Sequence, residues 1–204
     1  MWLAPRWISS PLPCQLRLSL RVRRFSHTAV LVIVVAVAAW FCAPAWLTYE
    51  DALARCPVVV ALNGDPFARA DTAALLYHEG FANEVWLTDD PKSSDAQGDA
   101  GSASNTRRLL ALSVPEQVIR RVPGAAVNTR AEMELIGVEL RRRRLACGIA
   151  VTSPLHGRRV RLTWDRHVKS PALVVRYAAG ANYVERAKVL RELGASMAVI
   201  AGLD

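Results

Sequence analysis

The sequence predicts an α/β fold with a mainly parallel five-stranded sheet behind one N-terminal membrane-spanning helix. Three observations carry this expectation. From Glu50 onward, short apolar runs alternate with amphipathic segments, the pattern of βαβ units. The first run, residues 57–62 (PVVVAL), is apolar throughout, as in strands buried on both faces. Residues 28–47 (TAVLVIVVAVAAWFCAPAWL) carry no charge and match the roughly 20 residues that cross about 30 Å of hydrocarbon.

Composition sets the outer bounds. A chain of 204 residues fits one domain with an appendage, and 52% hydrophobic residues exclude a disordered or collagen-like protein. Four cysteines are too few for a disulfide-dense secreted scaffold. The net charge of +8 is uneven: residues 1–27 hold Arg6, Arg17, Arg21, Arg23 and Arg24 and no acid, leaving 21 basic against 18 acidic residues beyond them. The organisation expected is a basic cytoplasmic tail (1–27), a transmembrane helix in the lipid bilayer (28–48) and an extracytoplasmic domain (49–204). Arginines precede the span and Glu50 and Asp51 follow it, so the positive-inside rule keeps the tail in the cytoplasm. A cleaved signal peptide is the rival, since Ala43-Pro44-Ala45 has a small-x-small pattern. Either reading exports the domain. The apolar run continues through Trp46 and Leu47 and the basic leader is long, which favours an uncleaved anchor; Cys42, after Trp40 and Phe41, has no lipidation signature. A buried core helix of this length would show a polar face.

The domain reads in order. After the strand at 57–62, residues 69–79 place Ala70, Ala73, Ala74 and Tyr77 at helical spacing, with Gly80 as the terminating glycine. Residues 84–88 (EVWLT) form a second strand, and 89–104, rich in Asp, Pro, Ser and Gly, read as a long loop. A short helix at 106–112 and a third strand at 118–122 follow. Residues 129–144 form a long helix with Met133, Ile136 and Leu140 on one stripe. A strand at 148–152, a helix at 157–166, a strand at 172–177 and a closing helix at 184–193 complete the pattern.

The segments VVVALNGDPFARADTAALLYHEG, EVWLT, 112–119 (LSVPEQVI), Asn128-Thr129-Arg130-Ala131-Glu132 and VTSPLHGRRV occur in this order. Together they resemble the YdcF/SanA/ElyC-like family of bacterial envelope proteins. The similarity spans roughly residues 56–170. Its most specific elements are Thr129-x-x-Glu132 and Val151-Thr152-Ser153-x-x-His156-x-x-Arg159. The resemblance implies a Rossmann-like three-layer α/β domain, often behind one membrane helix, linked to envelope integrity and to polysaccharide or lipid-carrier metabolism. A cytosolic member is associated with S-adenosylmethionine. The chain departs from the family pattern at Asn63-Gly64, where Gly-Gly is usual, and at Thr88-Asp89-Asp90, where Ser-Gly-Gly is usual. A phosphate-cradling first loop and a nucleotide cofactor would rest on those positions.

In a doubly wound sheet of order 3-2-1-4-5, ligands bind outside the carboxyl ends of the strands where the order reverses. Here that crevice is lined by Asn63-Gly64-Asp65 and residues 152–156. Gly64 permits close backbone approach, Asp65 supplies a carboxylate, and Ser153 and His156 supply a hydroxyl and an imidazole beside a helix N-terminus. Arg69 and Arg159 can hold a phosphate or carboxylate. An enzyme of this kind would use His156 as acid/base, with Ser153 or Asp65 assisting, on a phosphate-bearing envelope precursor. Asn63, Gly64, Thr129, Glu132 and Thr152 would line the ligand site. The alternatives are a ligand-binding or scaffold module without turnover, or a nucleotide or S-adenosylmethionine site if the domain is cytosolic.

Plainer roles compete with these. Spacing alone makes Thr129-x-x-Glu132 a capping box, with hydroxyl and carboxylate serving backbone N–H groups. Ser153-Pro154 is an ordinary helix start and His156 can simply cap or pack. Ser153 lies outside a Gly-x-Ser-x-Gly elbow. His78 and His167 are isolated, His27 borders the span, and no metal cluster assembles. Arg141 to Arg144 fall in a helix's last turn, where cations are favoured and solvated, so nucleic acid is not an expected partner. Cys56 and Cys147 precede the first and fourth strands by the same interval. If those strands are neighbours about 4.8 Å apart, the cysteines can form a disulfide in an oxidising compartment; otherwise they are buried thiols.

Overall fold

The computed structural model describes residues 15–64, 67–89, 101–178 and 186–203. Sequence expectations at Asp65, over residues 90–100 and at the start of the closing helix lie outside the described residues. The chain divides into two compact units between Cys42 and Ala43. In the first, helix α1 begins at Gln15, well before the apolar run, and continues to Leu47. Its segment Ala29–Leu47 is long and apolar enough to cross a membrane, and the large apolar side chains of residues 30–35, Val37 and Phe41 are exposed.

The second unit starts inside the expected span. Ala43 and Leu47 are buried with Leu155 and Val189, against which Leu193 packs, so the last turn of α1 belongs to the globular core. The chain that follows is tied down by polar contacts. Asp51 N donates to the Val175 carbonyl at 2.9 Å, and its carboxylate accepts from Val175 N at 2.8 Å. The Arg158 guanidinium lies 5.2 Å from the Trp46 ring centroid and 4.5 Å from that of Tyr49, within cation–π range. Gly157 is required here, because a Cβ at that position would fall on the Tyr49 carbonyl.

Five strands form one all-parallel sheet in the order β3-β2-β1-β4-β5. They are β1 (Val58–Ala61), β2 (Glu84–Asp89), β3 (Ile119–Ala125), β4 (Cys147–Thr152) and β5 (Ala172–Tyr177). Side chains alternate across the central strand. Val59 and Ala61 join one core cluster with α2 (Ala68–His78) and α3 (Gly101–Ala111); Val58 and Val60 join the other with α4 (Thr129–Arg142) and α5 (Gly157–His167). The stripe Met133, Ile136 and Leu140 is fully buried, as its spacing predicts. Truncating one such side chain to Ala costs about 2–5 kcal/mol.

Several boundaries differ from the sequence reading. Helix α3 starts at Gly101, because its buried positions Ser102 and Asn105 are small and polar and so hide the period that Leu109 completes. A 3₁₀ turn, Glu116–Val118, occupies the expected start of β3. Helix α6 (Arg186–Ala201) passes through Gly194 and continues beyond Leu193. The arginines closing α4 are not simply solvated. Arg142 pairs with Glu139 at 2.6 Å, Arg143 pairs with Glu84, and Arg141 donates to the Ser170 carbonyl at 2.8 Å.

Cys56 and Cys147 form a disulfide, with Cα atoms 5.4 Å apart across a sequence separation of 91. It joins the amino ends of the adjacent strands β1 and β4. By constraining the unfolded chain, such a bridge stabilises the fold by about 2–5 kcal/mol, with a loop this long toward the upper end. Cys147→Ser is expected to lose that amount in denaturant unfolding. Reductant should lower wild-type stability to the same level and leave the variant unchanged; equal sensitivity of both proteins would contradict the bridge.

Candidate functional site

The reversal in strand order sets β1 beside β4, and polar side chains collect at the carboxyl ends of β1, β2 and β4. Asn63 and Gly64 follow β1, with Gly64 at φ 114°, a region open chiefly to glycine. Arg69, on the first turn of α2, is buried. Its guanidinium donates to the Leu62 carbonyl at 3.0 Å, to the Asn63 carbonyl and to Ser153 Oγ at 2.9 Å, tying the loop after β1 to the loop after β4. Thr152, the last residue of β4, is fully buried, and its hydroxyl has no hydrogen-bond partner among the described residues.

The capping-box expectation is overturned. The N-cap of α4 is Asn128, whose side chain accepts from Ala131 N at 2.8 Å. An Asx cap one residue upstream satisfies that orphan donor and releases Thr129 and Glu132, one turn apart, to face the crevice. Glu132 accepts at Oε1 from Asn63 N (3.0 Å) and Thr88 Oγ1 (2.5 Å). Thr88 lies at a register irregularity between β2 and the edge strand β3, whose Pro123 cannot donate to the ladder.

A second set adjoins the first. His156 Nδ1 is 3.1 Å from Glu192 Oε2 on α6, and its Nε2 is 3.5 Å from Thr129 Oγ1. Arg159, on the first turn of α5, donates to Glu192 Oε2 (2.9 Å) and Oε1 (3.2 Å), and to Thr129 Oγ1 (2.6 Å). His156 immediately precedes α5 and makes no side-chain cap hydrogen bond, so the capping role offered to it does not apply. Both arginines expected to bind an anion are thus already engaged with protein groups. Of the ten residues singled out from sequence, nine lie among the described residues and gather at this end of the sheet; Asp65 lies outside them.

Sequence reasoning missed Thr88 and Glu192. The signal for Glu192 was present. Val189, Glu192, Ser196 and Val199 recur at 3-4-3 spacing on the buried face of α6, placing two polar residues in an apolar stripe.

Burial governs the charges. It raises the Glu132 carboxyl above its ordinary range, against the hydrogen bonds from Thr88 and Asn63 and the charges of Arg69 and Arg159. Burial also depresses His156 to about 4, aided by the charges of Arg159 and Arg69 and opposed by the Glu192 hydrogen bond. For Glu192, burial acts upward but is outweighed by the His156 hydrogen bond and charge and by Arg159, which hold it at about 2. At neutral pH the imidazole is therefore uncharged. Because a carboxylate only accepts, Nδ1 carries the proton and Nε2 is the free acceptor facing Thr129.

The chain matches no protein-family model and no curated protein.

The depressed His156 fixes the sign of a pH effect. In the unfolded chain it takes up a proton near 6.5 and in the fold only near 4. The stability involved is fully present above pH 6.5 and is lost as pH falls to 4, a change of roughly 3 kcal/mol. Urea unfolding at pH 7, 5.5 and 4 should show a steeper loss in wild type than in His156→Gln; parallel curves would place His156 in contact with solvent.

Proposed function

We propose that this chain is a membrane-anchored protein of the YdcF/SanA/ElyC-like type, acting in biogenesis or maintenance of a bacterial cell envelope. Its Rossmann-like domain lies outside the cytoplasm, the span holds it in the inner membrane, and the crevice binds an anionic, phosphate-bearing envelope precursor. The observation that carries this reading is the charge balance at the carboxyl ends of β1 and β4. Of two buried or half-buried guanidiniums there, Arg159 pairs with the carboxylate of Glu192, held at about 2, whereas Arg69 donates to the Leu62 and Asn63 carbonyls and Ser153 and meets no carboxylate through these bonds, and burial raises the Glu132 carboxyl. The balance tips toward surplus positive charge where topology favours a ligand, and a phosphate supplies the compensating oxygens. Export is supported by the Cys56–Cys147 disulfide, a bond that persists in oxidising compartments, and by the arginines before the apolar helix.

Two measurements test the proposal. Reporters fused after Asp204 should be active only outside the cytoplasm; cytoplasmic activity would overturn the localisation. Inorganic phosphate or pyrophosphate should raise the Tm of the detergent-solubilised full chain, by the equivalent of about 2.7 kcal/mol at a hundred times Kd. Ser153→Ala and Arg69→Gln should reduce the shift, and an unchanged Tm in wild type would remove the anion-binding reading.

A further inference from the structure

Thr129, His156 and Glu192 form a chain of contacts that reaches beyond ligand binding. Glu192 Oε2 lies 3.1 Å from His156 Nδ1, and His156 Nε2 lies 3.5 Å from Thr129 Oγ1. Arg159 completes the arrangement by donating to both ends, at 2.6 Å to Thr129 Oγ1 and at 2.9 Å to Glu192 Oε2. Since Oγ1 accepts from a guanidinium, its own hydrogen is left to point at Nε2. The Thr–His distance is at the outer limit of a hydrogen bond, as catalytic contacts often are before substrate binds. A nucleophile, a base and a third group that orients the base are the parts of an activated hydroxyl, recognised by geometry and not by position in the sequence. Ser153, given an assisting role from sequence, accepts from Arg69 at 2.9 Å.

We propose that Thr129 is a nucleophile for phosphoryl transfer, with His156 as its general base and Glu192 as the positioning residue that fixes the imidazole tautomer. The inference rests on the reading of the crevice as a site for phosphate-bearing ligands. In the first step Thr129 Oγ1 bonds to phosphorus and the bond to the leaving oxygen breaks. The threonine proton passes to His156 Nε2 and from there to the leaving group, releasing an alcohol or a phosphate. In the second step water attacks the phosphothreonine and gives a proton to Nε2. The P–O bond to Thr129 breaks, and the proton returns to its oxygen, regenerating the hydroxyl. Arg159, at 2.6 Å from Oγ1, stabilises the alkoxide character that develops there.

The test uses the full chain in detergent and diisopropyl fluorophosphate as the probe. Attack by Thr129 expels fluoride, with the proton taken by His156, and leaves a diisopropylphosphoryl adduct that peptide mass spectrometry can place. Labelling is expected at Thr129, absent in Thr129→Val and slowed at least a hundredfold in His156→Asn. Glu192→Gln should slow it about tenfold or more and move the acid limb of its pH profile to lower pH. Glu192→Asp should restore part of the rate, which a purely structural role for Glu192 would not produce. An adduct on Ser153, or no adduct in a chain that still gains Tm with phosphate, overturns the nucleophile and leaves the anion-binding reading standing. Loss of the phosphate shift as well removes both.

Discussion

The parallel pairing of β1 with β4 is the constraint on which the rest of the domain depends. Val58 aligns with Gly148 and Ala61 with Val151, so strands whose partners are 90 residues apart lie side by side at the centre of the sheet. Each end of that pairing then acquires its own chemistry. At the amino ends the chain places Cys56 and Cys147 close enough to join. At the carboxyl ends the connections leave toward opposite faces, and the gap between them can be filled only by the loops after the two strands. Arg69 fills it by holding the Leu62 and Asn63 carbonyls and Ser153 at once. A guanidinium suits this role because its donors fan out in one plane, whereas a lysine offers a single point charge.

The polar cluster is costly to bury, and its ionised carboxylate is matched by a guanidinium. Arg159 and Glu192 satisfy each other through two hydrogen bonds, and the same guanidinium reaches Thr129. Removing either partner would strand a charge in a region that already depresses an imidazole to about 4. Glu132 is handled differently. Its Oε1 takes a backbone N–H and a hydroxyl, neutral donors that stabilise a carboxylate less than a cation does, so burial prevails and the carboxyl moves upward. Two carboxylates within one cluster thus sit on opposite sides of their ordinary range, and that divergence separates a fixed anion from a group able to exchange a proton.

The sheet and its order were legible because they rest on burial, and burial writes itself into apolar runs and periods. β5 spans the residues its apolar run predicts, and the stripe on α4 is buried at the spacing the sequence shows. What escaped was polar. The start of α3 is packed through Ser102 and Asn105, which look like loop residues. Thr129-x-x-Glu132 fits a capping box by spacing, and only the competing cap from Asn128 shows that the pair faces inward. Glu192 sits in a helix whose place against α5 cannot be derived from its own sequence. A partner for His156 had to come from somewhere in the chain, but spacing does not say which of the remaining carboxylates is brought to it by folding.

The strap between Leu47 and Asp51 explains why His156 is held so firmly. A residue at the junction of a 3₁₀ turn and an α-helix would ordinarily fray, since the first turn of a helix leaves its N–H groups without intrahelical partners. Here the junction is clamped on three sides. Leu155 packs on Leu47 and Val189, Gly157 lies under the Tyr49 carbonyl with no room for a Cβ, and Arg158 is held between the rings of Trp46 and Tyr49 while its Nε donates to the Trp46 carbonyl at 3.0 Å. The strap is in turn fixed to β5 through Asp51. The backbone of residues 155–158 therefore has little freedom, and the imidazole between Glu192 and Thr129 inherits its position from packing, with no help from a cap of its own. Loosening the strap at Trp46 or Tyr49 acts on the same geometry as changing Glu192, through the backbone in one case and through the ring nitrogen in the other.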